Sequence, residues 1–420
     1  MSKFINTLIK YYLIIFFLLI FIFYSVNFFK SFSYDYKKSY AFIELFLNYQ
    51  GGFVRRGLLG EIFIHLNRIF FISPIFFFSS ILFLIHSLNL FLFFKIIRKS
   101  TLPRELLIII LFSPALFFFP IYDFNMFFIK DVFVKFLIVL HAFIIIKTRE
   151  NLKDYLQYLQ FLIIPLIFCI NIFIHEYGVF FISIHLLFSL YAFEYKKKLF
   201  FIIYLFLLIS IIFIIFVNVG DEITYNKINQ SIQQFEVTIH RQLAGGFKSL
   251  IGGFYKWHFF YFSYKDFLML LFSFLLSTWI FYFFFHFFII KKIFTYNLKY
   301  NYIFFFFPTF LIFINIDHGR NLSLLSFHLV AFYLMLYING EKLKKFIKKK
   351  IKNFYFINLI YIFIFFYLLM WTLPQDAGFG GREQINTIFR GSLFAELKKF
   401  INFTYIFIDN YIIRLPEIKL

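Results

Sequence analysis

The chain has a single cysteine in 420 residues, Cys169, and it lies inside an apolar run. One thiol excludes an intrachain disulfide and leaves the redox compartment unread. Acidic residues are scarce: 21 stand against 42 lysines and arginines, a formal charge of +21. In a soluble protein that excess would point to nucleic acid. Here most of it falls in short loops between apolar runs, so no nucleic acid partner is expected. Gly and Ala pairs for close helix crossings are few, which excludes a bundle built on GxxxG contacts. No nucleotide-binding loop is visible. His175-Glu176 lacks the second histidine of a metalloprotease helix, and no metal or cofactor is expected.

What the chain has in abundance is apolar surface. It is 62% hydrophobic with a mean hydropathy of +0.82, more than a soluble core can bury, so its solvent is lipid. The 79 phenylalanines, with abundant Ile, Lys, Tyr and Asn, are residues of AT-rich codons and are read as genome composition. Their physical consequence is a bundle packed through interdigitated aromatics.

Apolar runs near 11–29, 74–94, 105–119, 132–146, 158–174, 177–193, 199–217, 267–290, 302–316, 322–338 and 355–372 predict an all-α polytopic membrane protein of about eleven helices. The first run has no cleavage site after it and reads as a retained span. The pair meeting at His175 reads as two helices or as one kinked or re-entrant element. Lysine-rich clusters at 3–10, 95–104, 147–153, 196–198, 291–299 and 342–352 alternate with the runs, which puts them and the N-terminus in the cytoplasm. Residues 1–420 then form one integral-membrane domain. Its extracytoplasmic parts are two long loops, about 30–73 and 218–265, which carry amphipathic helices, and a tail, about 373–420.

Fifteen of the sixteen glycines and eight of the eleven arginines fall on that outer side. Topology needs only charge, whereas phosphate recognition favours the planar fork of arginine. The strongest motif is Asn48-Tyr-Gln-Gly-Gly-Phe-Val-Arg-Arg-Gly-Leu-Leu-Gly-Glu61. Gly52 and Gly57 free the backbone to approach a ligand, and Arg55 and Arg56 supply forks for phosphate oxygens. A helix beginning just after them would add its dipole. Glu61, His65 and Arg68 share one face of that helix. The alternative reading is contact with lipid headgroups.

Asp317-His-Gly-Arg320 is a tight turn between apolar runs, readable as a structural ion pair or as a phosphate clamp beside a base. Glu176 is a candidate general base that His175 orients. Asp131 and Lys135 read as a structural i,i+4 pair. Arg241 and Arg382, each near glycines, are further candidate phosphate or sugar contacts. His86, His141 and His286 are isolated in apolar runs and are given no role.

Gly52–Glu61, followed far downstream by Asp-x-Gly-Arg at 317–320, resembles the O-antigen polymerases of the Wzy type. The matching motifs cover some fourteen residues. The resemblance implies an enzyme of lipopolysaccharide and surface-polysaccharide biosynthesis in the cell envelope, multi-pass in the bacterial inner membrane. Such an enzyme polymerises undecaprenyl-pyrophosphate-linked oligosaccharide on the periplasmic face, with the lipid bilayer and other polysaccharide-assembly membrane proteins as partners. Arg55, Arg56, Arg320 and Arg241 would then bind pyrophosphate, with Gly52, Gly57, Glu61 and Arg382 completing the site. Glu176, Asp317 and His175 would serve the attacking hydroxyl.

Two other readings compete. A C-type-fold glycosyltransferase using a lipid-phosphate sugar would carry a catalytic acid in the first outer loop, where Asp35 and Glu44 lie, although the usual paired acids are absent. A lipid-linked glycan transporter or flippase would need charged residues at the bilayer midplane, and the runs look nearly bare there.

Overall fold

The computed structural model describes residues 2–33, 35–54, 56–100, 102, 104–122, 124–151, 154–175, 177–192, 222–239 and 318–339, with shorter stretches within 202–213, within 270–279 and at 308–309. Among the described residues the chain is mostly helical and has no strand. Three helices there are long and apolar enough to cross a membrane, within α1 (Ser2–Ser31), α4 (Pro74–Ser100) and α11 (His318–Asn339). The expected count of eleven extends over runs outside the described residues.

α1 shows why the solvent is lipid. Leu13, Phe16, Phe17, Ile20 and Tyr24 are buried against the bundle, yet the outward positions Ile14, Ile15, Leu18, Leu19 and Ile22 are apolar as well. In water that second face would be a large exposed patch. α11 is the opposite case, buried along the whole of its spanning window, and it forms the bundle's centre. It packs along α7 (Asp131–Asn151), which also packs against α4 and α8 (Asp154–Ile174). The seams are aromatic. Phe117 meets Phe17, Phe93 and Phe327 edge-on, with ring centroids 5.5, 5.0 and 5.7 Å apart.

The run at 105–119 is not one helix. α5 (Arg104–Phe112) stops at Ser113-Pro114, turns follow, and α6 (Phe119–Tyr122) is a single turn. Proline cannot donate to the helix ladder and disfavours helical geometry at the residue before it. Side chains satisfy the carbonyls this exposes. Ser323 Oγ donates to Ala115 O at 2.7 Å, Tyr24 Oη to Phe117 O at 3.1 Å and Asn27 Nδ2 to Pro120 O at 3.2 Å. Irregular backbone at this depth persists only with such partners.

The first long loop is folded rather than loose. A short helix α2 (Tyr40–Ile43) runs into a 3-10 turn, Glu44–Phe46, and residues 48–57 turn back into α3 (Leu58–Phe70). α3 buries Leu59, Phe63 and Ile64 but exposes Ile62, Ile69 and Phe70, the pattern of a helix lying in the membrane interface. Gly60 has backbone of Phe46 and Leu47 where a Cβ would sit, so only glycine lets α3 dock there. α10 (Glu222–Ile232) lies on this loop, with Asn48 Nδ2 donating to Ser231 Oγ at 3.0 Å.

Candidate functional site

Four segments meet at the end of the bundle away from the basic termini of α4 and α7. From the first loop come Glu44 and Arg56, from the start of α7 Lys130 and Asp131, and from α11 Arg320. His175 and Tyr177 come from the break between α8 and α9 (Gly178–Ala192). All seven are buried.

Arg320 stands in the first turn of α11, where the helix dipole disfavours a cation. It is held there by a two-pronged bond to Asp131. Nε donates to Oδ2 at 3.1 Å and Nη2 to Oδ1 at 3.0 Å. Asp131 opens α7, where the same dipole favours an anion. His175 Nε2 lies 2.7 Å from Asp131 Oδ1, and the Tyr177 backbone N–H donates to His175 Nδ1 at 3.2 Å. With Nδ1 accepting, a neutral imidazole carries its proton on Nε2 and donates it to Asp131. Arg320 Nη2 lies 3.1 Å from that same Nε2.

Arg56 pairs with Glu44, both nearly excluded from solvent. Its backbone has a φ of +66°, the left-handed region that a non-glycine residue adopts only when its surroundings compel it. Lys130 Nζ donates to the Arg56 carbonyl at 2.7 Å, holding that turn. The guanidiniums of Arg56 and Arg320 lie 5.3 and 5.6 Å from the centroid of one ring, Tyr177. Burial alone would raise the Glu44 carboxyl, but Arg56, then Arg320 and Lys130, hold it down at about 2. Glu44 therefore stays ionised near neutrality and is a poor proton acceptor.

Of the residues the sequence singles out, Arg56, Arg320 and His175 are brought together. Arg55, Glu176, Asp317, Arg241 and Arg382 lie outside the described residues. Glu61 stands apart from the cluster. Its carboxylate accepts from Tyr49 N at 2.8 Å and Gln50 Nε2 at 2.6 Å, with His65 Nε2 at 2.9 Å, so it ties the 48–57 turn to α3. Gly57 packs against the Tyr49 ring, and Gly52, at φ +126°, makes the turn. The close approaches these glycines allow are to the chain itself.

Asp131 departs from its expected pairing. Lys135 Nζ donates instead to Ser323 Oγ at 2.8 Å, and Asp131 reaches across to α11 and the α8–α9 break. Sequence spacing finds partners one turn away on a helix but not those 189 residues distant. The histidines are not isolated either. His141 Nδ1 lies 2.9 Å from His185 Nδ1, and His185 meets His328 edge-on at 6.1 Å. With the buried Lys135, they make the bundle interior less bare than the runs imply. His286 lies outside the described residues.

The chain matches no protein-family model, no curated protein and no solved structure.

Proposed function

We propose that the chain is an integral-membrane glycosyltransferase that takes its donor from a lipid-linked pyrophosphate on the extracytoplasmic face. In this reading it joins lipid-linked repeat units into a surface polysaccharide in a bacterial inner membrane. The supporting observation is the convergence of Arg56 and Arg320, 264 positions apart in the chain, on the single Tyr177 ring. The positive-inside pattern of the lysine clusters supports the outer assignment of that end.

Transfer forms a C–O bond between the acceptor hydroxyl and the anomeric carbon. It breaks the bond from that carbon to the diphosphate, which leaves with the electron pair, while the hydroxyl proton passes to a base. Cations held in place beforehand, in surroundings of low dielectric, favour the charge that develops on the leaving group. Glu44 and Asp131 keep the guanidiniums oriented, and His175 positions Asp131. The base is assigned to Glu176 or Asp317. Arg55 is the cation of the motif assigned to first contact with the diphosphate.

One observation favours the second reading, a C-type glycosyltransferase adding single sugars from a lipid phosphate. Glu44, an acid of the first outer loop, lies within the cluster, where, paired with Arg56, it would orient a cation towards the donor phosphate rather than take the acceptor proton. The two readings part on the product. For polymerisation, Arg55→Ala and Glu176→Gln at normal protein abundance convert long-chain glycan on a polysaccharide gel to single repeat units. Unchanged ladders in both variants would remove the polymerase reading, and loss of one sugar from an otherwise intact ladder would select the second.

A further inference from the structure

On the outer side of α10 lies a groove of about 510 Å³ lined by Asn226, Asn229, Gln230, Gln233, Glu236 and Thr238. Asn226, Asn229 and Gln230 fall at i, i+3 and i+4 of α10, and Gln233 opens the 3-10 turn that follows it, so four carboxamides line one side of the groove. Three of the chain's nine glutamines occur within residues 230–234. The opposite face of the element, Ile228 and Ile232, is buried, and Phe235 packs on Phe46 and Phe63. Docking of α10 thus uses its apolar side and leaves the amide side facing the groove.

The second wall is made by a reversal. Glu236 adopts a left-handed φ of +54°, and the chain returns along the helix. Asn229 fixes this return, its Oδ1 accepting from Ile239 N at 2.8 Å and its Nδ2 donating to Tyr225 O at 3.3 Å. Glu236 also pairs with Lys37, tying the rim to the first loop. Asn229 is therefore structural. Asn226, Gln230, Gln233 and Thr238 make no hydrogen bond to other described residues, and all four are exposed.

The chemistry of this lining is selective. Carboxamides and a threonine hydroxyl each donate and accept, which matches a ligand whose groups do the same. Among the described residues no lysine or arginine lines the groove, which argues against phosphate, and Val237 is the one apolar lining residue, which argues against an acyl chain. The described lining also offers no ring or guanidinium on which a base would stack. A neutral, hydroxyl-rich oligosaccharide fits, and the volume lies within the roughly 300–1,000 Å³ of small-ligand sites. The groove shares its support with the cation cluster: Asn48 bonds Ser231, Gly51 abuts Thr224, and Arg56 follows five residues on.

We infer that this groove holds the neutral glycan of the acceptor, while the cation cluster holds the donor's diphosphate. This rests on the glycosyltransferase reading and adds to it a separate acceptor site.

The test uses the full chain in nanodiscs and, as probe, the free oligosaccharide released by mild acid from the host's lipid-linked pool. The double variant Q230L/Q233L, at exposed positions that make no hydrogen bond to other described residues, should keep the wild-type unfolding temperature and bind the probe at least tenfold more weakly. Arg56→Lys should leave probe binding unchanged. A benzophenone at position 230 should cross-link the probe, and one at exposed Phe71 should not. Equal binding by Q230L/Q233L and wild type, or equal cross-linking from both positions, overturns the acceptor site. Absence of any glycan transfer by a wild-type chain that still binds the probe would instead overturn the glycosyltransferase reading and leave the groove standing.

Discussion

Arg56 and Glu44 show how a residue that reads as a ligand contact also carries structural work. Breaking a buried ion pair by removing one partner leaves an uncompensated charge and costs about 3–5 kcal/mol. Arg56→Ala should therefore lower the unfolding temperature in detergent sharply, Glu44→Ala likewise, and the double variant less than the sum of the two. A strictly additive cycle would mean that the pair does not form. The acid response has a definite sign as well. The Glu44 carboxyl is depressed in the fold, from 4.5 to about 2, so its contribution is complete above about 4.5 and lost as pH falls towards about 2. Thermal stability should hold from neutrality to about pH 5 and then decline. In the double variant Glu44→Ala/Arg56→Ala, that acid slope should be shallower. At this scale Arg56, Arg320 and His175 were legible because arginine is rare on the lysine-rich side and unusual between apolar runs. In the sequence Glu44 is only one acid of a long loop, and helical spacing pairs Asp131 with Lys135 where the fold pairs it with Arg320 and His175. Pairing across long sequence separations leaves no periodic trace.

Among the elements, the instructive one is the interrupted helix at 104–122. Hydropathy alone gives a single span there, because residues 113–118 are nearly as apolar as their neighbours. Pro114 is the local signal of the break; the donors from Tyr24, Asn27 and Ser323 are what make it tolerable, and none lies near it in sequence. Leaving a buried carbonyl unsatisfied costs about 1–3 kcal/mol. Tyr24→Phe and Ser323→Ala should each destabilise by that amount in reversible unfolding. Values near zero would mean that other donors satisfy the broken segment. α3 was far more legible. Its start after Gly57 and its polar face of Glu61, His65 and Arg68 both follow from helical spacing. What spacing does not convey is that Glu61 faces the chain's own turn, bonding Tyr49 and Gln50.

The whole molecule is organised by polarity of its ends. Helices α4 and α7 end in lysines and arginines at one pole, while Glu44, Arg56, Asp131, His175 and Arg320 gather at the other. α10 lies on the first loop at that second pole. In the sequence this division is legible at the basic clusters that close α4 and α7, the side that the positive-inside rule assigns to the cytoplasm. The sequence does not express the amide groove, because a stripe of Asn and Gln looks like any solvated helix face until the chain folds back over it. The proposed reaction requires the arginine pole to face outward. In right-side-out vesicles of a Cys169→Ser chain, a membrane-impermeant maleimide should label a cysteine at exposed Gln234 without permeabilisation and one at exposed Lys95 only after it. Labelling of position 95 alone in sealed vesicles would put the arginines in the cytoplasm and contradict the proposed reaction.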